Sequence, residues 1–243
     1  MPDTNAPVQY TDSAWLRRLD SLLTAQRPVV VRHVRHLRRR HPHAGPDKLI
    51  RILEREYLAA VTTGGAAVGA SAVLPGIGWG ISLALSGVET AGFLETSALF
   101  AQSVTEVHGI AITDPDRARA LVMTMMLGAP GTVLVRQFAG EALGTGPART
   151  AFWGDLVTQK LPKAAMSGLT DTIRRQFVRR FAASQGASIV GRALPFGVGA
   201  VIGGAGNHAL GRKVVQSARS AFGAPPVSFV DETVVVMPGD SRS

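Results

Sequence analysis

Residues Tyr57–Val88 read YLAAVTTGGAAVGASAVLPGIGWGISLALSGV, a run without a single Asp, Glu, Lys or Arg. Ala193–Gly211, ALPFGVGAVIGGAGNHALG, has the same character. Each holds a Leu-Pro dipeptide followed by glycines: Leu74-Pro75-Gly76-Ile77-Gly78 in one, Leu194-Pro195-Phe196-Gly197-Val198-Gly199 in the other. Proline has no N–H to donate and its ring clashes with the preceding turn, so each Leu-Pro is expected to break a helix. Chain this rich in Gly and Ala lets helix backbones approach closely, in a core or against lipid. Pro75, Gly76, Gly78, Pro195, Gly197, Gly199 and Gly203 are therefore read as structural positions for helix breaks and close packing. Gly65/Gly69 and Gly199/Gly203 have the small-xxx-small spacing of intimate helix contact.

Outward from these stretches the pattern is helical. Pro46 suits the first position of a helix, and Leu49, Ile50, Leu53, Tyr57 and Leu58 continue it at helical spacing to about 73. After the Pro75 break a long helix is expected over about 78–108, giving an antiparallel hairpin. Asp114-Pro115 reads as an N-cap with proline at N1, opening a helix to about 127. Residues 128–131 read as a turn, with helices following over about 132–142, 151–160 and 162–183, and Gly186 starting or interrupting the next piece. Residues 187–222 repeat the hairpin theme. Upstream, a helix is expected over about 13–25 and another over 29–41, separated by Pro28. In the second, Val30, Val34 and Leu37 face one way and arginines and histidines fill the rest. Val227–Met237 alternates weakly, as a short strand or an extended tail. The class is all-α: a helical bundle around two Pro-broken hairpins. It divides into a basic arm (1–45), a helical domain (46–222) and a tail (223–243).

Charge is distributed unevenly. Residues 17–55 carry eleven Arg/Lys and three acids, and 160–219 carry ten and one, whereas 56–159 carry four and eight; the net charge is +9. Two basic regions flank an acidic, apolar middle. Such surfaces suit an anionic membrane, a membrane protein, an acidic protein partner or nucleic acid. The arginines expected to contact an anionic partner are Arg35, Arg38, Arg39 and Arg40 in the arm and Arg174, Arg175, Arg179 and Arg180 downstream. No nucleic-acid recognition module is visible. There is no cysteine, which excludes disulfides and thiolate chemistry. The N-terminus lacks the basic and apolar regions of a signal peptide.

A spanning helix needs about 20 apolar residues. Pro75-Gly76 divides the first stretch into two shorter arms, and Glu89, Glu95 and Glu106 on the next helix are costly in lipid. The second stretch contains Pro195, Asn207 and His208. Neither makes a good span; the leading readings are a buried hairpin and one that dips into a single leaflet, with a two-pass membrane protein as the lesser alternative.

Catalytic motifs fail on context. The glycines at 76–80 and 197–203 follow Leu-Pro in helical chain, whereas a dinucleotide loop follows a strand, and no Gly-Lys-Ser/Thr is present. Glu106 and His108 do not share a helix face; His108 is placed to cap a helix C-terminus. His33, His36, His41 and His43 sit among arginines, which disfavour a dication. No metal or cofactor is expected. Glu89, Glu95, Asn207 and His208 are the positions at which a polar pocket would be sought.

The run Leu194–Gly204 with Asn207 and Gly211-Arg212-Lys213-Val214, together with Leu74–Gly78 and Val107-His108-Gly109, resembles the EcsC family of bacterial proteins over about 47–222. The resemblance implies an all-helical bacterial protein associated with the cytoplasmic membrane, and it supplies no catalytic residues. The expectation from sequence is a non-enzymatic adaptor or scaffold, peripheral on the cytoplasmic side of the bacterial plasma membrane, with a soluble cytoplasmic form as the alternative. A helical ligand-binding or enzymatic domain with a polar pocket near Glu89, Glu95 and Asn207 is the second reading. Nucleic-acid binding through the basic arm is the third.

Overall fold

The computed structural model describes residues 21, 27–71, 79–143, 152–192 and 198–229. Among them every regular element is helical: α1 Arg27–Arg40, α2 Pro46–Ser71, α3 Trp79–Val107, α4 Pro115–Leu127, α5 Ala129–Leu143, the single turn α6 Trp153–Asp155, a π-helical turn Leu156–Lys160, α7 Lys163–Arg192 and α8 Val198–Phe222. The chain is an all-α bundle. The helix breaks expected at Pro75 and Pro195, the helix over 13–25 except Ser21, and residues 230–237 lie outside the described residues.

α4 is the inner helix. Its run Ala120-Leu121-Val122-Met123-Thr124-Met125 is buried all round, as expected of a helix apolar on every side. α3, α5, α7 and α8 surround it. Asp114 caps α4 by accepting from the Asp116 N–H at 2.9 Å, with Pro115 at the first helical position. Only Gly128, at φ +68°, separates α4 from α5, so the turn expected over 128–131 shrinks to one residue and α5 begins at Ala129. α7 runs through Gly186 without stopping. Pro28 lies inside α1, in the first turn, where the missing N–H costs no helical hydrogen bond.

The most extensive contact in the bundle joins the two glycine-rich helices, α2 and α8. They run antiparallel: Glu54 meets Arg219, Val61 meets Asn207 and Gly65 meets Gly203. A Cβ on Gly65 would lie 2.5 Å from the Gly203 carbonyl oxygen and 2.6 Å from Asn207 Nδ2. The absence of a side chain at Gly65 is therefore a packing requirement. The polar groups in this contact are matched across it. Asn207 Nδ2 donates to the Val61 carbonyl at 3.2 Å, and His208 Nδ1 lies 3.0 Å from Thr62 Oγ1. On its other side α2 packs on α3, where Tyr57 stacks on Phe100 with ring centroids 4.6 Å apart and its hydroxyl meets Ser97 Oγ at 2.9 Å. Burial raises the Tyr57 pKa, keeping the phenol neutral.

α1 lies on α3 through Val30, Val34 and Leu37, the stripe read from sequence. The π-helical turn is held from α4 by Arg117, which donates to the Val157 carbonyl at 2.7 Å and the Leu161 carbonyl at 2.6 Å. Behind it the indole of Trp153 is fully buried.

The expected location, peripheral on the cytoplasmic side of the plasma membrane, is corrected by this packing. Among the described residues no helix is long and apolar enough to cross a membrane. Of the small-residue chain that suggested lipid, the described Gly65 and Gly204 face the opposite backbone in the contact between α2 and α8.

Gly64 and Gly65 are adjacent, yet a Cβ on Gly64 would meet nothing within 4 Å. Gly65→Ala is expected to lower unfolding free energy by about 2–3 kcal/mol through overpacking. Gly64→Ala is expected to raise it by about 0.5–1 kcal/mol through helix propensity. Urea denaturation of the two variants checks this, and equal effects would contradict the packing assigned to α2 and α8.

Candidate functional site

A cleft of about 450 Å³ opens where the start of α2, the end of α3 and the end of α8 converge. α2 supplies Asp47, Ile50, Arg51 and Glu54, which helical spacing brings to one side. α3 supplies Val104, with His108 just beyond its end. α8 supplies Ala218 and Arg219, and the chain leaving it supplies Gly223 and Pro225. Gly223 has φ +71°, and a side chain there would collide with the Phe152 ring. Its backbone freedom is what turns the chain back along the cleft.

Glu54 is the unusual residue. Its side chain is 8% exposed, and buried charges need a partner. The partner is Arg219, whose Nε and Nη2 donate to Glu54 Oε1 and Oε2 at 2.7 and 2.6 Å. This two-point bond ties α2 to α8 at the mouth of the cleft. Hydrogen bonding to Glu54, then its charge, raises the Arg219 pKa above the usual arginine value. Arg219 is itself 65% exposed, so its outer edge faces solvent. One turn away Arg51 and Asp47 pair at 2.5 Å, each 59% exposed. Ile50, Val104 and Ala218 provide apolar surface below these charges.

His108 closes the inner end. Its Nδ1 lies 2.8 Å from the Val104 carbonyl, which only accepts, so this nitrogen carries the proton. The ring tilts against Phe222 at 5.1 Å. Nε2 is buried and has no hydrogen-bond partner among the described residues. His108 therefore caps the last turn of α3, the role its sequence position suggested.

The positions singled out from sequence lie elsewhere. Asn207 and His208 face α2 in the bundle, Glu95 is exposed on α3, and the side chain of Glu89 lies outside the described residues. Pro75, Gly76, Gly78, Pro195 and Gly197 are also outside them. On α7, Arg174 bonds Asp171 at 2.9 Å, Arg175 bonds Thr172 at 3.0 Å and Arg179 bonds Gln176 at 2.7 Å. Each of these guanidiniums reaches back one turn along its own helix, and Arg180 is exposed. Among the described residues no three His, Asp or Glu groups could hold a metal ion.

α1 presents a different surface. It contains no acid, and Arg32, Arg35, Arg38, Arg39 and Arg40 are all exposed. Burial lowers the His33 pKa, an effect that Glu56 opposes. The arginines of this face keep their charge at any physiological pH. The Arg38 guanidinium lies 4.2 Å from the centre of the Phe229 ring.

No family model, curated protein or solved structure matches the chain. The likeness to the EcsC family rests on the sequence motifs.

Removing the guanidinium at 219 leaves the Glu54 carboxylate buried and unpaired. Arg219→Ala is expected to cost about 2–3 kcal/mol of stability, and Glu54→Gln less. A double-mutant cycle should return a coupling above 1 kcal/mol. Additive losses would mean that the pair does not tie α2 to α8.

Proposed function

We propose that this chain is a helical ligand-binding domain and that the cleft between α2, α3 and α8 is its site. The observation that carries the reading is the pairing of charges above an apolar floor. Asp47 and Arg51 form an exposed ion pair, a kind worth little by itself, so a ligand can separate it at small cost. The four charged groups Asp47, Arg51, Glu54 and Arg219 sum to zero. Such a rim suits an amphipathic zwitterion, with an ammonium taken by Asp47, a carboxylate by Arg51 and an apolar body over Ile50 and Val104. The volume, about 450 Å³, falls in the range of small-molecule sites. The Leu-Pro segments at 74–75 and 194–195 are read as the breaks that turn α2 into α3 and α7 into α8. The EcsC likeness agrees with a helical domain and adds no site residue.

L-phenylalanine and L-leucine are suitable probes, followed by calorimetry. Binding is expected to fall at least tenfold in Asp47→Asn and in Arg51→Gln, and to vanish in Ile50→Trp, which fills the floor. Arg175→Gln on α7 should bind normally. Absence of binding to the unaltered chain, or undiminished binding by all three cleft variants, would overturn the reading.

The exposed arginines of α1 favour a second reading, in which this helix contacts an acidic protein partner. Fluorescein-labelled hexaglutamate should bind in low salt, weaken as salt rises and lose at least tenfold in affinity in Arg32→Glu with Arg39→Glu. Tighter binding of a DNA duplex than of this peptide would move the reading to nucleic acid.

A further inference from the structure

We infer that the cleft between α2, α3 and α8 takes a short peptide, with Arg219 as the anchor for its C-terminal carboxylate. The inference rests on the reading above that this cleft binds a zwitterion, and it assigns the length of that zwitterion. Asp47, Ile50, Arg51 and Glu54 line the cleft from positions i, i+3, i+4 and i+7 of α2, so the rim follows one helix face for two turns. Its charges are gathered at two places, Asp47 with Arg51 at one end and Glu54 with Arg219 at the other. Seven residues of α-helix, at a rise of 1.5 Å each, put these ends about 10 Å apart. A free amino acid carries its ammonium and carboxylate on one carbon and can engage only the first end. An extended peptide advances ~3.3–3.6 Å per residue, so about three residues span both.

The two ends differ in what they offer. Both Glu54 oxygens accept from Arg219, and the carboxylate is buried, so Glu54 is already spent inside the protein. Arg219 gives only Nε and Nη2 to that bond. Its Nη1 makes no hydrogen bond among the described residues, and the side chain is mostly exposed. Glu54 thus holds the guanidinium in place before a ligand arrives, which lowers the ordering cost of binding. This end presents N–H donors and suits a carboxylate. At the other end Asp47 is exposed and its bond to Arg51 is easily separated, which suits an ammonium. The peptide therefore lies with its amino end at Asp47, its first carbonyl at Arg51, its central side chain over Ile50 and its carboxylate at Arg219.

The test uses the full chain and calorimetry with three probes: L-leucine, the tripeptide Ala-Leu-Ala, and the same tripeptide with its C-terminus amidated. The free-acid tripeptide should bind about tenfold more tightly than its amide, the size of one charge-assisted hydrogen bond, and more tightly than L-leucine. In Arg219→Gln the acid and the amide should bind equally, while L-leucine binds as it does to the unaltered chain. Arg219→Gln also weakens the tie between α2 and α8, so its unfolding is followed in the same samples. If it does not fold, the ratio of acid to amide on the unaltered chain still decides. Equal binding of acid and amide there, or tighter binding of L-leucine than of the tripeptide, would overturn the inference and leave the cleft as an amino-acid site. A preference for the acid that persists in a folded Arg219→Gln variant would overturn the assignment of Arg219. No binding of any of the three would overturn both the inference and the reading on which it rests.

Discussion

The structure depends on the close approach of α2 and α8 at Gly65 and Gly203. Helices that near leave no room for a side chain at Gly65, so the contact there is made by backbone and the Asn207 amide, within a long antiparallel overlap. Dispersion between well-matched surfaces is small per atom pair and large in sum, which favours such a seam even though it contains few bulky residues. The bulkier core lies on its far sides: Tyr57 and Phe100 between α2 and α3, and the apolar cylinder of α4 beyond. Polar groups survive in the seam because each has a partner across it, Asn207 with the Val61 carbonyl and His208 with Thr62.

The cleft follows from the same pairing. Past Glu54 the antiparallel overlap ends, α8 gives way to Gly223, and the start of α2 and the end of α3 are left facing an uncovered apolar surface. The Glu54–Arg219 bond closes the seam at that point and places two opposite charges on the edge of the opening. Stability and site are thus built from one residue pair: the carboxylate belongs to the bundle and the outer edge of the guanidinium belongs to the cleft.

The helices were legible because local rules decide them. Asp114-Pro115 is a cap and start wherever it occurs, and Val30, Val34 and Leu37 recur at helical spacing whatever they pack against. Gly65 and Gly203 could be named as close-packing positions, but periodicity does not say which helix meets which. That choice is made by residues far apart in the chain, as in the bond between Glu54 and Arg219. The π-helical turn at 156–160 depends on Arg117 from another helix, so no local pattern announces it. The cleft is not legible in the sequence for a similar reason, although one signal is present. Glu54 stands four residues from both Ile50 and Leu58, on the flank of an apolar stripe, where a charge requires a partner. Asn207 and His208, the more conspicuous polar residues in the sequence, have their partners in the seam.

The two halves of that seam are separated in the chain by everything from α3 to α7. During synthesis α2 emerges well before α8. At ribosomal rates of about 5–20 residues per second, the glycine face of α2 waits on the order of ten seconds for its partner. Folding must also close this large loop before the contact can stabilise anything. Throughout that interval the nascent chain carries an uncovered face of small apolar residues. The length of that exposure is set by the order in which its helices are made, and moving α8 next to α2 by circular permutation would shorten it while keeping the seam.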